Sequence, residues 1–97
     1  MHVLDNRIDA SSASPANEIP PPEGIRVFGF VGPFAIIRAN HVSGLRIGIR
    51  FSPVGTPLPQ RPQWVIADNF AEKAQEVLAT PSATVRSKIR GAADNYA

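Results

Sequence analysis

Acid–base, nucleophilic or metal chemistry in this chain would have to start from two histidines, His2 and His41, and from eight carboxylates. The carboxylates are badly placed for it. No Asp or Glu lies between Glu23 and Asp68, so a working pair would need contributions from opposite ends of the chain. Ser43 stands two residues from His41, but no acid nearby in sequence would orient the imidazole as a nucleophile's base requires. Residues of a turn, chosen for backbone reasons, account for both side chains. Cysteine is absent, which removes thiolate ligands, a cysteine nucleophile and any disulfide framework. No HExxH, Gly-x-Ser-x-Gly, GxGxxG or phosphate-cradling loop occurs. The expectation is a non-catalytic protein with no metal and no cofactor.

The residue types that do stand out favour binding. Residues 25–66 hold five arginines, Arg26, Arg38, Arg46, Arg50 and Arg61, and no Asp, Glu or Lys. They are interleaved with Phe28, Phe30, Phe34, Phe51 and Trp64. The guanidinium is planar, pairs bidentately with carboxylate or phosphate, and stacks on aromatic rings. Protein–protein interfaces are enriched in Arg and aromatics and depleted in Lys and Glu, which matches this segment. The candidate binding residues are therefore Arg26, Phe34, Arg38, Arg46, Arg50 and Arg61. An acidic protein surface is the expected partner. A basic, aromatic sheet face also suits single-stranded nucleic acid, which is the alternative. Against both stands a plainer account, in which strand arginines only keep one sheet face wet.

Size and composition bound the rest. Ninety-seven residues make one domain at most. Net charge is +2, and the excess lies in the middle of the chain. The N-terminal residues lack a basic stretch followed by an apolar core, and no apolar run approaches the roughly 20 residues of a membrane helix. A soluble cytoplasmic protein without a membrane partner is expected. Residues 9–24, DASSASPANEIPPPEG, are small, polar and proline-rich, a composition that cannot offset the entropy of ordering. Residues 1–24 are accordingly expected as a flexible arm, in which Val3, Leu4 and Ile8 could dock as a short edge strand, and residues 25–97 as the domain.

Within the domain, strands are expected at 25–31, 34–40, 45–51 and 64–67. Leu45, Ile47, Ile49 and Phe51 alternate with Arg46, Gly48 and Arg50, the period-two signature of a half-buried strand. His41 to Gly44 is expected to turn a hairpin, and the four prolines of residues 52–63 an extended loop. In the preferred register Ala39 faces Leu45, which keeps Arg38 off the core face. Asn69 and Glu72 are spaced as a capping box for a helix carrying Phe70, Ala74, Val77 and Leu78 inward. Thr80-Pro81 would open a second helix, whose face Val85, Ile89, Ala92, Ala93 and Tyr96 could also serve a homodimer. No internal repeat is apparent. The expected core is Ile47, Ile49, Trp64, Phe70, Val77 and Leu78. The expected fold class is α+β: a small antiparallel three- to four-stranded sheet with one or two C-terminal helices packed on one face.

Overall fold

Asparagine follows a turn residue at four places, Asp5-Asn6, Ala39-Asn40, Asp68-Asn69 and Asp94-Asn95, and the fold is organised around them. The structure, a computed structural model, describes residues 1–9, 23–55 and 58–97. Short strands run on either side of these turns. They are β1 (His2–Leu4), β2 (Arg7–Asp9), β3 (Glu23–Phe30), β4 (Phe34–Arg38), β5 (His41–Ser43), β6 (Ile47–Val54), β7 (Gln63–Ala67), β8 (Phe70–Glu72), β9 (Glu76–Ala79) and β10 (Ile89–Arg90). One five-residue helix, α1 (Ala83–Ser87), precedes β10.

Every strand pairing is parallel and joins one strand to its counterpart a full circuit later. Sheet A runs β1-β4-β7-β10, sheet B runs β2-β5-β8 and sheet C runs β3-β6-β9. The chain therefore winds through A, B and C three times and starts a fourth circuit. This is a parallel β-helix, a solenoid of stacked coils.

The expected antiparallel sheet with C-terminal helices is thus incorrect. Several of the expected strands are present, but with other partners. β4 and β6 do not form a hairpin; they lie in different sheets, and His41–Ser43 is a strand between them rather than a turn. The segment expected as the first helix forms β8 and β9. Asn69 does not cap a helix, because its side chain is committed to neighbouring coils. The second helix shrinks to α1, capped by the Ser82 hydroxyl, which accepts from the Val85 amide. Its expected dimer face is divided: Val85 and Ile89 are buried, while Tyr96 is exposed. At the N-terminus β1 and β2 pair with β4 and β5, so the arm's first nine residues belong to the first coil, as an edge-strand docking of Val3 and Ile8 would have it. Residues 10–22 of that arm lie outside the described residues.

Stacking in register makes columns of inward side chains. Ala35, Trp64 and Ile89 align in sheet A, as do Val3, Ile37 and Ile66. Ile25, Ile49 and Leu78 align in sheet C, and Ile8, Val42 and Ala71 in sheet B. Trp64 and Phe51 are fully buried and meet edge to face at 5.1 Å. Trp64 also donates from Nε1 to the Gly32 carbonyl at 2.8 Å, so its one polar atom is satisfied. Of the expected core, Ile47, Ile49, Trp64 and Leu78 are buried and Val77 is half-buried. Phe70 is exposed, because a strand that turns Ala71 inward turns its neighbours outward. Sheets B and C approach so closely that a Cβ on Gly48 would lie 2.6 Å from the Ala71 Cβ, which explains glycine there. Pro53 lies opposite Gly29 of β3, beyond the point where the pairing of β6 with β9 ends at Arg50.

In the first three coils the A-to-B turn is held in one conformation. Asp5, Ala39 and Asp68, each just before a ladder asparagine, have φ of 55°, 56° and 58°. Asp and Asn tolerate this left-handed region; alanine adopts it at a cost of roughly 1–2 kcal/mol. Ala39 is exposed, so a larger side chain has room. Ala39→Asn should therefore stabilise the protein by about 1 kcal/mol, raising the thermal midpoint by roughly 4–8 °C. A lowered midpoint by calorimetry would show that the turn does not take this conformation.

Candidate functional site

The turn between sheets A and B is two residues long in each of the first three coils, whereas the connections at the corner between sheets C and A differ in length from coil to coil. Among the described residues that corner comprises 31–33, 55, 58–62 and 80–88, in the links from each coil to the next. Inward alternation in β3 sends Arg26, Phe28 and Phe30 outward. Phe28 is 67% and Phe30 87% exposed, far more than a buried-face strand would give. Across the corner Phe34 starts β4 and is also exposed, as are Met1 and Val54. Two shallow grooves share Phe30, Val31, Gly32 and Pro33 as their common wall. One extends to Leu58 and Pro59, the other to Met1 and Phe34. The result is one contiguous apolar patch wrapped around an edge of the solenoid.

Charge around the patch has one sign. Residues 28–34, 52–62 and 79–91 contain no Asp or Glu. Arg26 lies over the Phe28 ring, with its guanidinium carbon 5.4 Å from the centroid. Arg61 is exposed in the loop after β6. Arg86 in α1, Lys88 at its C-terminal cap and Arg90 in β10 complete the set. Lys88 reaches across to the Gln60 carbonyl, tying the helix to the loop. An exposed apolar patch rimmed by cations, on a domain this small, is the composition of a docking surface.

The six candidate binding residues, with Phe34, Arg38, Arg46 and Arg50 among them expected on one sheet face, are not all together. Arg26, Arg50, Phe34 and Arg61 fall on sheet C or the C-to-A corner. Arg26 and Arg50 are register neighbours on adjacent coils, and the largely buried Glu23 lies between them, 3.7 Å from Arg26 and 2.5 Å from Arg50. That carboxylate relieves a repulsion that two stacked guanidiniums would otherwise suffer. Arg38 is on the other side of the molecule, at the end of β4, paired to Asp68 at 2.8 Å. Arg46 lies at the B-to-C corner, hydrogen-bonded to Gln75. The single-face arrangement needs β4 and β6 to be hairpin partners, and they are not. The candidate set leaves out Phe28 and Phe30, which the sequence shows only as aromatic neighbours of the arginines, and Arg86, Lys88 and Arg90. The absence of any acid from residues 79–91 is visible in the sequence, but only the coil geometry sets that stretch on the same corner as residues 28–34, next to the connection after β6.

The outer face of sheet B is of different character. Arg7, His41 and Phe70 stack in register, as do Asp9, Ser43 and Glu72. The Ser43 hydroxyl donates to Asp9 Oδ1 rather than to His41, so the serine–histidine pair that could act as nucleophile and base is not assembled. His41 Nε2 is 3.8 Å from Glu72 Oε2 and has no hydrogen bond among the described residues. The Ser43 hydroxyl and then the Arg7 guanidinium, 2.9 Å away, hold the Asp9 carboxyl below its ordinary range. Among the described residues no helix is long and apolar enough to cross a membrane.

A depressed carboxyl pKa adds stability that is present above the ordinary carboxylate range and is lost as pH falls through the folded value. Ser43→Ala removes the larger of the two causes. The Asp9 carboxyl should then titrate at a higher pH, read from its side-chain carbon shift by NMR. An unchanged titration would show that Ser43 does not donate to it.

No family model matches this chain, and no curated protein and no solved structure matches it either.

Proposed function

We propose that this protein is a non-catalytic binding protein that docks the C-to-A corner of its solenoid on an acidic protein surface. The observation that carries this reading is the exposure of Phe28, Phe30 and Phe34 on an edge lined by Arg26, Arg61, Arg86, Lys88 and Arg90, in segments that hold no exposed carboxylate. Phe and Arg contribute disproportionately to interface energy when they enter a partner's pocket and shed water. The cations speed encounter with a partner of opposite charge and reject one of like charge. A rigid solenoid suits the role, because an edge fixed by stacked strands loses little freedom on binding.

Nucleic acid is the competing ligand for a basic, aromatic surface. The apolar part of the corner argues against it. Met1, Val54, Leu58 and Pro59 extend the phenylalanine patch with aliphatic area. Base stacking needs aromatic platforms in a charged groove, not aliphatic walls.

The two ligands separate by salt dependence and by mutation. In a pull-down from its host, Phe30→Ser combined with Arg61→Gln should lose a partner that the wild type retains. Both residues are exposed, so circular dichroism of the variant should be unchanged. Fluorescence anisotropy with a single-stranded oligonucleotide should show only weak binding at about 150 mM salt. Tight oligonucleotide binding, weakening with a log–log slope near −0.7 per phosphate and abolished by the same variant, would replace the protein partner with nucleic acid.

A further inference from the structure

The large exposed apolar residues divide into two groups on different edges of the solenoid, and each group has its own charge. Met1, Phe28, Phe30, Phe34 and Val54 belong to the cationic C-to-A corner. The remaining three, Leu4, Phe70 and Tyr96, flank the A-to-B turn. Leu4 ends β1 just before Asp5, while Phe70 and Tyr96 directly follow Asn69 and Asn95 and stack as a bridge between coils. The turn residues beside them are Asp5, Asp68 and Asp94, and Asp9 and Glu72 lie on the adjoining face. All five carboxylates are exposed. Only Arg7 and Arg38 oppose them along residues 4–9, 38–43, 67–72 and 93–97, paired to Asp9 and Asp68. One edge is thus aromatic and cationic, and another is aromatic and net anionic.

We infer that the cationic corner of one copy docks on the acidic A-to-B edge of a second copy of this chain. This self-docking rests on the reading of the corner as a docking surface, and supplies the partner that covers it. Charge decides the mode. An isologous contact through the corner alone would set Arg26, Arg61, Lys88 and Arg90 against their own copies, and like charges across an interface are rejected. A contact between unlike edges satisfies both charge sets and both apolar groups at once. Such a heterologous contact leaves one free corner and one free edge on every pair. Assembly therefore continues until a ring closes or the chain of copies runs on.

Analytical ultracentrifugation of the wild type over a concentration series should show self-association that weakens as salt is raised from about 50 to 500 mM, since exposed charge pairs are screened. Two exposed-site variants test the mode. Phe30→Ser with Arg61→Gln disables the corner. Asp5→Asn with Asp94→Asn disables the acidic edge. Each alone should associate at least tenfold more weakly than the wild type. Mixed, they should form a one-to-one dimer that grows no further, because only one competent contact exists between them. A wild type that stays monomeric at every concentration overturns the inference. So does a mixture in which no dimer forms. Poly-L-glutamate as a probe tells which claim has fallen. If monomeric wild type binds it through the corner, and the corner variant does not, docking on acidic surfaces stands and self-association alone is refuted. If neither binds, the docking reading falls with it.

Discussion

The side chains of Asn40, Asn69 and Asn95 each accept two hydrogen bonds from the coil before, and the solenoid depends on this repeated contact. Asn40 Oδ1 accepts from the Asn6 amide and from Asn6 Nδ2, both at 3.0 Å. Asn69 Oδ1 accepts from the Asn40 amide at 3.1 Å and Nδ2 at 2.9 Å. Asn95 Oδ1 does the same for Asn69, at 3.3 and 2.7 Å. The Nδ2 groups also donate to carbonyls of two coils: Asn40 to Val3 of the coil before and Arg38 of its own, Asn69 to Ile37 of the coil before and Ala67 of its own. Asn40 and Asn69 are buried, each 2% exposed. A buried amide left unpaired costs about 1–3 kcal/mol, and here the donors and acceptors find partners. No other side chain of that size supplies both a carbonyl and an NH₂ in this geometry.

In the first three coils the asparagine ladder holds the A-to-B turn at two residues and one backbone conformation, so each of these coils begins sheet B in register with the last. Register then aligns the inward side chains into columns, and the columns make the core. The C-to-A corner carries no such ladder, and connections there differ in length and content between coils. Function in solenoids gathers where loops are free to vary over a rigid scaffold. Phe28, Phe30, Phe34, Arg26, Arg61, Arg86, Lys88 and Arg90 gather on or beside that corner, and Asp5, Asp9, Asp68, Glu72 and Asp94 on or beside the ladder edge, where Asp supports the left-handed turn residue. The separation of charge is therefore partly a by-product of turn chemistry: Asp5 and Asp68 have a backbone reason to be acidic.

Legibility in the sequence varies by element. The alternation of Leu45 to Phe51 marks β6 and its inward face correctly, because period two depends only on which face is buried and not on what the strand pairs with. The same alternation turns Ala35 and Ile37 inward, and both are fully buried. Pairing is not legible. Parallel strands are joined across a whole circuit, and a short segment such as His41–Ser43 reads as a hairpin turn when its partners are 34 and 29 residues away. The repeat is hidden by its unequal period, since successive ladder asparagines are separated by 34, 29 and 26 residues. The recurring Asp-Asn at positions 5, 68 and 94 is the available signal. The helix expected at Asn69 does not form because a capping-box pattern is local, and tertiary contacts override local propensity. Of the site, the excess of arginine and the absence of acid are legible, and their distribution over separate edges is not.

Hydrogen exchange of the Asn40 and Asn69 side-chain amides tests the central claim most directly. In an antiparallel hairpin Asn40 would stand at the end of a strand beside an exposed turn, and its Nδ2 protons would exchange within the dead time of an NMR experiment. In the stacked solenoid both side chains are buried and bonded to two coils, so their protons should persist and exchange only through global unfolding. Slow exchange at Asn40 and Asn69, with faster exchange at the exposed Asn6, is the predicted pattern. Rapid exchange at Asn40 and Asn69 would contradict the ladder and the fold built on it.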